Sequence, residues 1–151
     1  MLPYGIQPGG AVAAEVLVQE WEEAVALVVS GRVGAFGRPD HFVRGLLAGE
    51  VGFSVNPDRP VRGTLAIGAG YLPTAAVDRV GVDLATGAKT VQFEPRHLGL
   101  VYGSLTLTHM PSDTVGWYLR GSLGSTATGT PADDALFFSV GLGVRFALGS
   151  K

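Results

Sequence analysis

The stretch Ala135-Leu-Phe-Phe-Ser-Val-Gly-Leu-Gly-Val-Arg-Phe-Ala-Leu148 decides the fold class. Its even positions, Leu136, Phe138, Val140, Leu142, Val144, Phe146 and Leu148, are all apolar. Its odd positions, Ala135, Phe137, Ser139, Gly141, Gly143, Arg145 and Ala147, are mostly small or polar. A period of two held over fourteen residues is a β-strand with one apolar face. A helix would be destabilised by so much glycine and β-branching.

The same period recurs upstream. Val43, Leu47, Val51, Phe53 and Val55 oppose Arg44, Glu50 and Ser54; Val61, Leu65, Ile67, Ala69 and Tyr71 oppose Arg62, Thr64, Gly68 and Gly70. Val25, Leu27, Val29 and Val33 face away from Ser30, Arg32 and Gly34. Val91, Phe93, Val101, Leu105 and Leu107 face away from Gln92, Glu94, Arg96, Tyr102 and Ser104, and Val115, Trp117, Leu119 and Leu123 from Tyr118, Arg120 and Ser122. Turn chemistry separates the runs at Gly37–Asp40, Asn56–Pro60, Pro111–Asp113 and Ser125–Asp134. Residues 11–29 fit either two strands or an amphipathic helix with Glu15, Gln19, Glu22 and Glu23 on its polar stripe. The pattern predicts eight strands, near Ala11–Gln19, Ala24–Phe36, Phe42–Val55, Val61–Leu72, Ala75–Ala85, Thr90–Thr108, Thr114–Gly124 and Ala135–Leu148. The fifth alternates least well. Eight antiparallel strands would close into an up-and-down barrel spanning residues 11–148, with an extension over 1–10, a tail over 149–151 and both termini on one side.

Composition says which face is inside. The 151 residues contain 23 Gly, 9 Pro and no Cys, with 46% hydrophobic and only 16% charged residues, and mean hydropathy is +0.30. Without cysteine there is no disulfide, thiol nucleophile or zinc-thiolate site. A net charge of −2 carries no basic footprint for nucleic acid. Seven of nine arginines, Arg32, Arg44, Arg62, Arg79, Arg96, Arg120 and Arg145, lie on the small and polar register, with Glu15, Glu50, Asp83 and Glu94. A solvated face would carry abundant lysine and little glycine. Small residues alternating with arginines and carboxylates suit a crowded lumen, where ion pairs must be knitted together. The apolar register then suits lipid.

Ser139-Val140-Gly141-Leu142-Gly143-Val144-Arg145-Phe146 resembles the terminal strand read by the barrel-assembly machinery of outer-membrane proteins. Gly141, Val144 and the closing aromatic Phe146 carry the likeness; the tail Ala147–Lys151 departs from it. With the alternation, the chain is similar to the small eight-stranded outer-membrane β-barrels of Gram-negative-type bacteria, the OmpA/OmpX-like size class. The resemblance implies a closed transmembrane barrel in the bacterial outer membrane. Its partners would be outer-membrane lipid, the assembly machinery and another envelope protein, and its role structural, anchoring or docking. Met1–Gly10 has neither the basic start nor the apolar core of a secretory signal, so this reading implies a mature sequence.

Catalytic chemistry is sparse. His97 and His109 are about 40 Å apart along one strand at roughly 3.3 Å per residue and cannot share a metal; His41 lies in a turn. The lipid A deacylase of this class carries His-x-Ser-Asn, whereas His109 is followed by Met110-Pro111-Ser112-Asp113. Gly68-Ala69-Gly70 alternates within a strand and is no phosphate loop. Glu20, Glu22, Glu23, Asp58, Asp133 and Asp134 would gather on one rim, either solvated or holding divalent cations that bridge anionic lipid heads. Trp21, Phe36, Phe42, Phe53, Tyr71, Phe93, Trp117 and Phe138 suit aromatic girdles. The expectation is a non-enzymatic protein with no cofactor. Its alternatives are a soluble lipocalin-like barrel binding an apolar ligand and an outer-membrane lipid-modifying enzyme.

Overall fold

The computed structural model describes residues 9–21, 24–38, 42–83, 85–127 and 135–146. They form seven strands: β1 (Gly9–Trp21), β2 (Val25–Arg38), β3 (Phe42–Val55), β4 (Val61–Val82), β5 (Lys89–His109), β6 (Val115–Ala127) and β7 (Ala135–Phe146). All lie in one up-and-down sheet in sequence order, and every neighbouring pair is antiparallel. The ambiguous segment over 11–29 is strand, not helix.

The expected eight-stranded closed barrel is not what forms. The two strands expected at Val61–Leu72 and Ala75–Ala85 are one strand, β4. Pro73, between those two spans, does not end the strand. Instead it stays in the ladder to β5, opposite His97. Its missing N–H is felt only towards β3, where pairing lapses between Arg44↔Thr74 and Leu47↔Tyr71. Across that lapse stands Gly45, at which an added Cβ would lie 2.9 Å from the Pro73 ring. The poor alternation further along has a second cause. A bulge at Asp78, between Val77↔Phe93 and Arg79↔Gln92, inserts one residue and shifts the phase, so that Val77, Val80 and Val82 share a face. A similar slip at Val18 lets Trp21 join the face of Val16.

Seven strands leave β1 and β7 running in the same direction, and among the described residues no backbone ladder joins them. The sheet is open there. The start of β1 and the end of β7 accordingly lie at opposite ends of the sheet, contrary to the even-strand expectation. One end carries the turns at 56–60 and 110–114. Asn56 takes a left-handed conformation (φ 54°) in the first, which a short polar side chain tolerates, and Ser112 Oγ accepts from Val115 N (3.1 Å) in the second. At the other end β4 and β5 outrun their neighbours. Pairing to β3 stops at Ala76 and pairing to β6 at Gly99, leaving a two-stranded arm from Val77 to Phe93 of about 20 Å at 3.3 Å per residue.

Candidate functional site

The sheet is curled so that side chains on distant strands meet over its concave face. Glu15 of β1 touches Arg62 of β4 and Arg145 of β7, and Phe36 of β2 packs against Phe137 of β7 with centroids 6.3 Å apart. The alternation is inside out relative to a water-soluble sheet. Leu47, Ile67, Leu119 and Leu142 point outward, Ile67 being 68% exposed, while Glu50, Arg62, Thr64, Ser104 and Thr108 are buried.

Two carboxylates organise the concave face. Glu50 sits mid-strand on β3. Its Oε1 accepts from the Tyr102 hydroxyl (2.6 Å) and from Arg120 Nη2 (2.5 Å), with Arg32 Nη1 at 3.6 Å. Its Oε2 accepts from Ser30 (3.2 Å). Arg120 also donates to Ser122 on its own strand and to Thr106 across the β5–β6 ladder. The second node is Glu15, whose Oε1 accepts from Arg62 (2.9 Å) and Arg145 (2.8 Å). Buried charges are tolerable only when paired and hydrogen-bonded in this way. Glycine makes the room: a Cβ at Gly68 would lie 2.7 Å from the Tyr102 ring and 2.8 Å from Glu50 Cγ.

The eleven charged residues expected in one lumenal network therefore divide. Glu15, Arg32, Glu50, Arg62, Arg120 and Arg145 are brought together at the two nodes. Arg44 faces inward but stacks on Phe42, its guanidinium carbon 4.6 Å from the ring centroid. Arg79, Asp83, Glu94 and Arg96 are not interior. They belong to the arm and its base, where Arg79 pairs with Asp78 (3.5 Å) and Arg96 with Glu94 (2.9 Å), all well exposed. The reason is the overhang of β4 and β5, which carries the register past the curled part of the sheet.

Sequence reading missed the apolar half of the interior. Towards the arm end Ala48, Leu72, Leu98, Leu100 and Tyr102 form a buried cluster with Phe36, Leu46 and Phe137 against it. Its signal was parity, since Leu98 and Leu100 share the inward register of Tyr102. On the outer face, near the turn end, Trp21 packs on Phe53 (6.2 Å) and His109 on Trp117 (5.4 Å). Towards the arm end the Tyr71 hydroxyl meets His97 Nδ1, with the rings stacked. Gly141 lies on the concave register, and Val144 and Phe146 are exposed on the outer one. Of the acidic rim, Glu22, Glu23, Asp133 and Asp134 lie outside the described residues, as does His41; among the described residues no three potential ligands gather to hold a metal. Among the described residues no helix is long and apolar enough to cross a membrane.

No family model matches this chain, and neither a curated protein nor a solved structure matches it.

Proposed function

We propose that this chain is an integral protein of a bacterial outer membrane, its convex face against acyl chains and its charged face turned inward, with a structural, anchoring or docking role in the envelope. One observation carries the reading: large apolar side chains cover the outside while Glu50 and Arg62 are buried. Water would drive the reverse arrangement, at about 25 cal/mol per Å² of exposed apolar surface. The height of the band agrees. From Phe53 to Val43, ten residues along β3 extend about 33 Å, or roughly 25 Å once tilted by about 40°, the height of the apolar belt of a membrane-spanning sheet. Aromatic pairs near both ends of that band fit an interfacial position. The terminal-strand residues Gly141, Val144 and Phe146 would serve recognition by the assembly machinery.

A lipocalin-like module would need the apolar register to line a cavity, and that register points outward. A lipid-modifying enzyme would need a nucleophile beside a base, whereas His97 meets the Tyr71 hydroxyl and His109 packs edge-on against Trp117, both on the outer face. The test is refolding into phosphatidylcholine vesicles. The reading expects membrane-pelleted protein that migrates differently on SDS gels with and without boiling. A monodisperse folded chain in detergent-free buffer would refute it.

A further inference from the structure

We infer that the seam between β1 and β7 is an acceptor site for one extended segment of another polypeptide, running antiparallel to both strands. The inference concerns the free edges alone and does not depend on the membrane reading.

Three observations select this occupant. The first is direction. β1 and β7 run the same way, so direct pairing would be parallel, the less stable ladder, and none joins them among the described residues. A second copy in the same orientation presents only the same parallel edges. A single strand running the opposite way satisfies the outward N–H and C=O groups of both edges at once, the strand-addition mode of peptide recognition.

The second is width. The seam is crossed by Arg145 reaching Glu15 at 2.8 Å. One intervening strand would hold the edges about 9–10 Å apart, a gap that an extended arginine and a glutamate can span end to end. Some of the outer side chains flanking the seam are the barest of their register: Val12 is 80%, Leu136 79% and Leu142 76% exposed, against 68% for Ile67 inside the sheet. The occupant's outward positions are therefore apolar.

The third is charge. The concave register carries Arg32, Arg44, Arg62, Arg120 and Arg145 against Glu15, Glu20 and Glu50. Arg62 and Arg145 share a single oxygen of Glu15. The occupant's inward positions are therefore small or acidic. A segment of about twelve residues, the length of β7, with valine or leucine alternating with glutamate or serine fits all three.

The test uses a fluorescent twelve-residue peptide of that pattern, titrated against the full chain folded in detergent micelles. A second peptide carries lysine at each glutamate position. The expected result is saturable one-to-one binding of the acidic peptide, at least ten-fold weaker binding of the lysine peptide, and a several-fold loss of affinity for the acidic peptide in Arg145→Gln. Since the native chain has no cysteine, a double variant, Ala13→Cys with Gly141→Cys, adds a second readout, and it is expected to stay reduced under mild oxidation. Absence of saturable binding, equal affinity for both peptides, or ready closure of that disulfide would overturn the inference. Because micelles require no bilayer insertion, failure here is distinct from failure in vesicles.

Discussion

Glu50 is the side chain on which most of the interior depends. Three hydrogen-bond donors and the Arg32 guanidinium converge on its two oxygens, and its side chain is 3% exposed. Glu50→Gln keeps the shape and removes the charge that compensates Arg32 and Arg120. Urea unfolding in micelles should show a loss of about 3–5 kcal/mol, the cost of stranding a buried charge. Arg96→Leu cuts an ion pair that is half exposed, and solvent screening should hold its effect below about 1 kcal/mol. Equal effects of the two would mean that Glu50 is not isolated from water. Gly68→Ala probes the same spot sterically: its methyl meets Tyr102 and Glu50, so overpacking should cost about 1–3 kcal/mol. At this scale the sequence was informative about which residues face inward, because parity along a strand needs no tertiary knowledge. It was silent on which arginine meets which glutamate. Arg145 and Glu15 are 130 positions apart and meet only because the sheet curls.

The strands show why parity fails at particular places. A bulge depends on hydrogen bonding with a neighbour and leaves no mark in composition, so Asp78 and Val18 shifted phase unseen. Pro73 shows the opposite case, a strand residue whose missing donor is accommodated by a local lapse in pairing. The arm that results has its own chemistry. At its tip the Asp83 carboxylate accepts from Ala85 N and from the Thr86 hydroxyl, both at 2.8 Å, and Gly87 adopts φ +71° to close the turn. The Ala85 amide first, then Thr86, holds the Asp83 carboxyl below its ordinary value. A depressed carboxyl pKa contributes order that is present above the ordinary aspartate range, near 3.9, and fades as pH falls through the lowered folded-state value. Amide protection at Ala85 and Gly87, taken relative to the intrinsic exchange rate at each pH, should therefore fall on acidification through that window while protection in β3 stays unchanged. Asp83→Asn should remove the pH dependence. Persistence of the acid-induced change in that variant would locate its origin elsewhere.

For the molecule as a whole, the same apolar register has opposite meanings above and below the end of the band. Leu47 and Ile67 lie mid-sheet on the outer face, and Val91 lies on the arm; all three are exposed. In a bilayer, Leu47→Arg or Ile67→Arg should cost about 2–4 kcal/mol, the penalty for a cation near the midplane, whereas Val91→Arg beyond the band should fall near zero. In water all three would be close to neutral and would improve solubility. The comparison is made within one protein and one fold, so differences in expression or reference state cancel. Unfolding each variant in vesicles of phosphatidylcholine with 12- and 16-carbon chains sharpens it. The thicker bilayer should raise the penalty at positions closer to the arm end, such as Val43, more than at Ile67. A penalty that ignores both position and bilayer thickness would mean that the outer face is covered by something other than lipid.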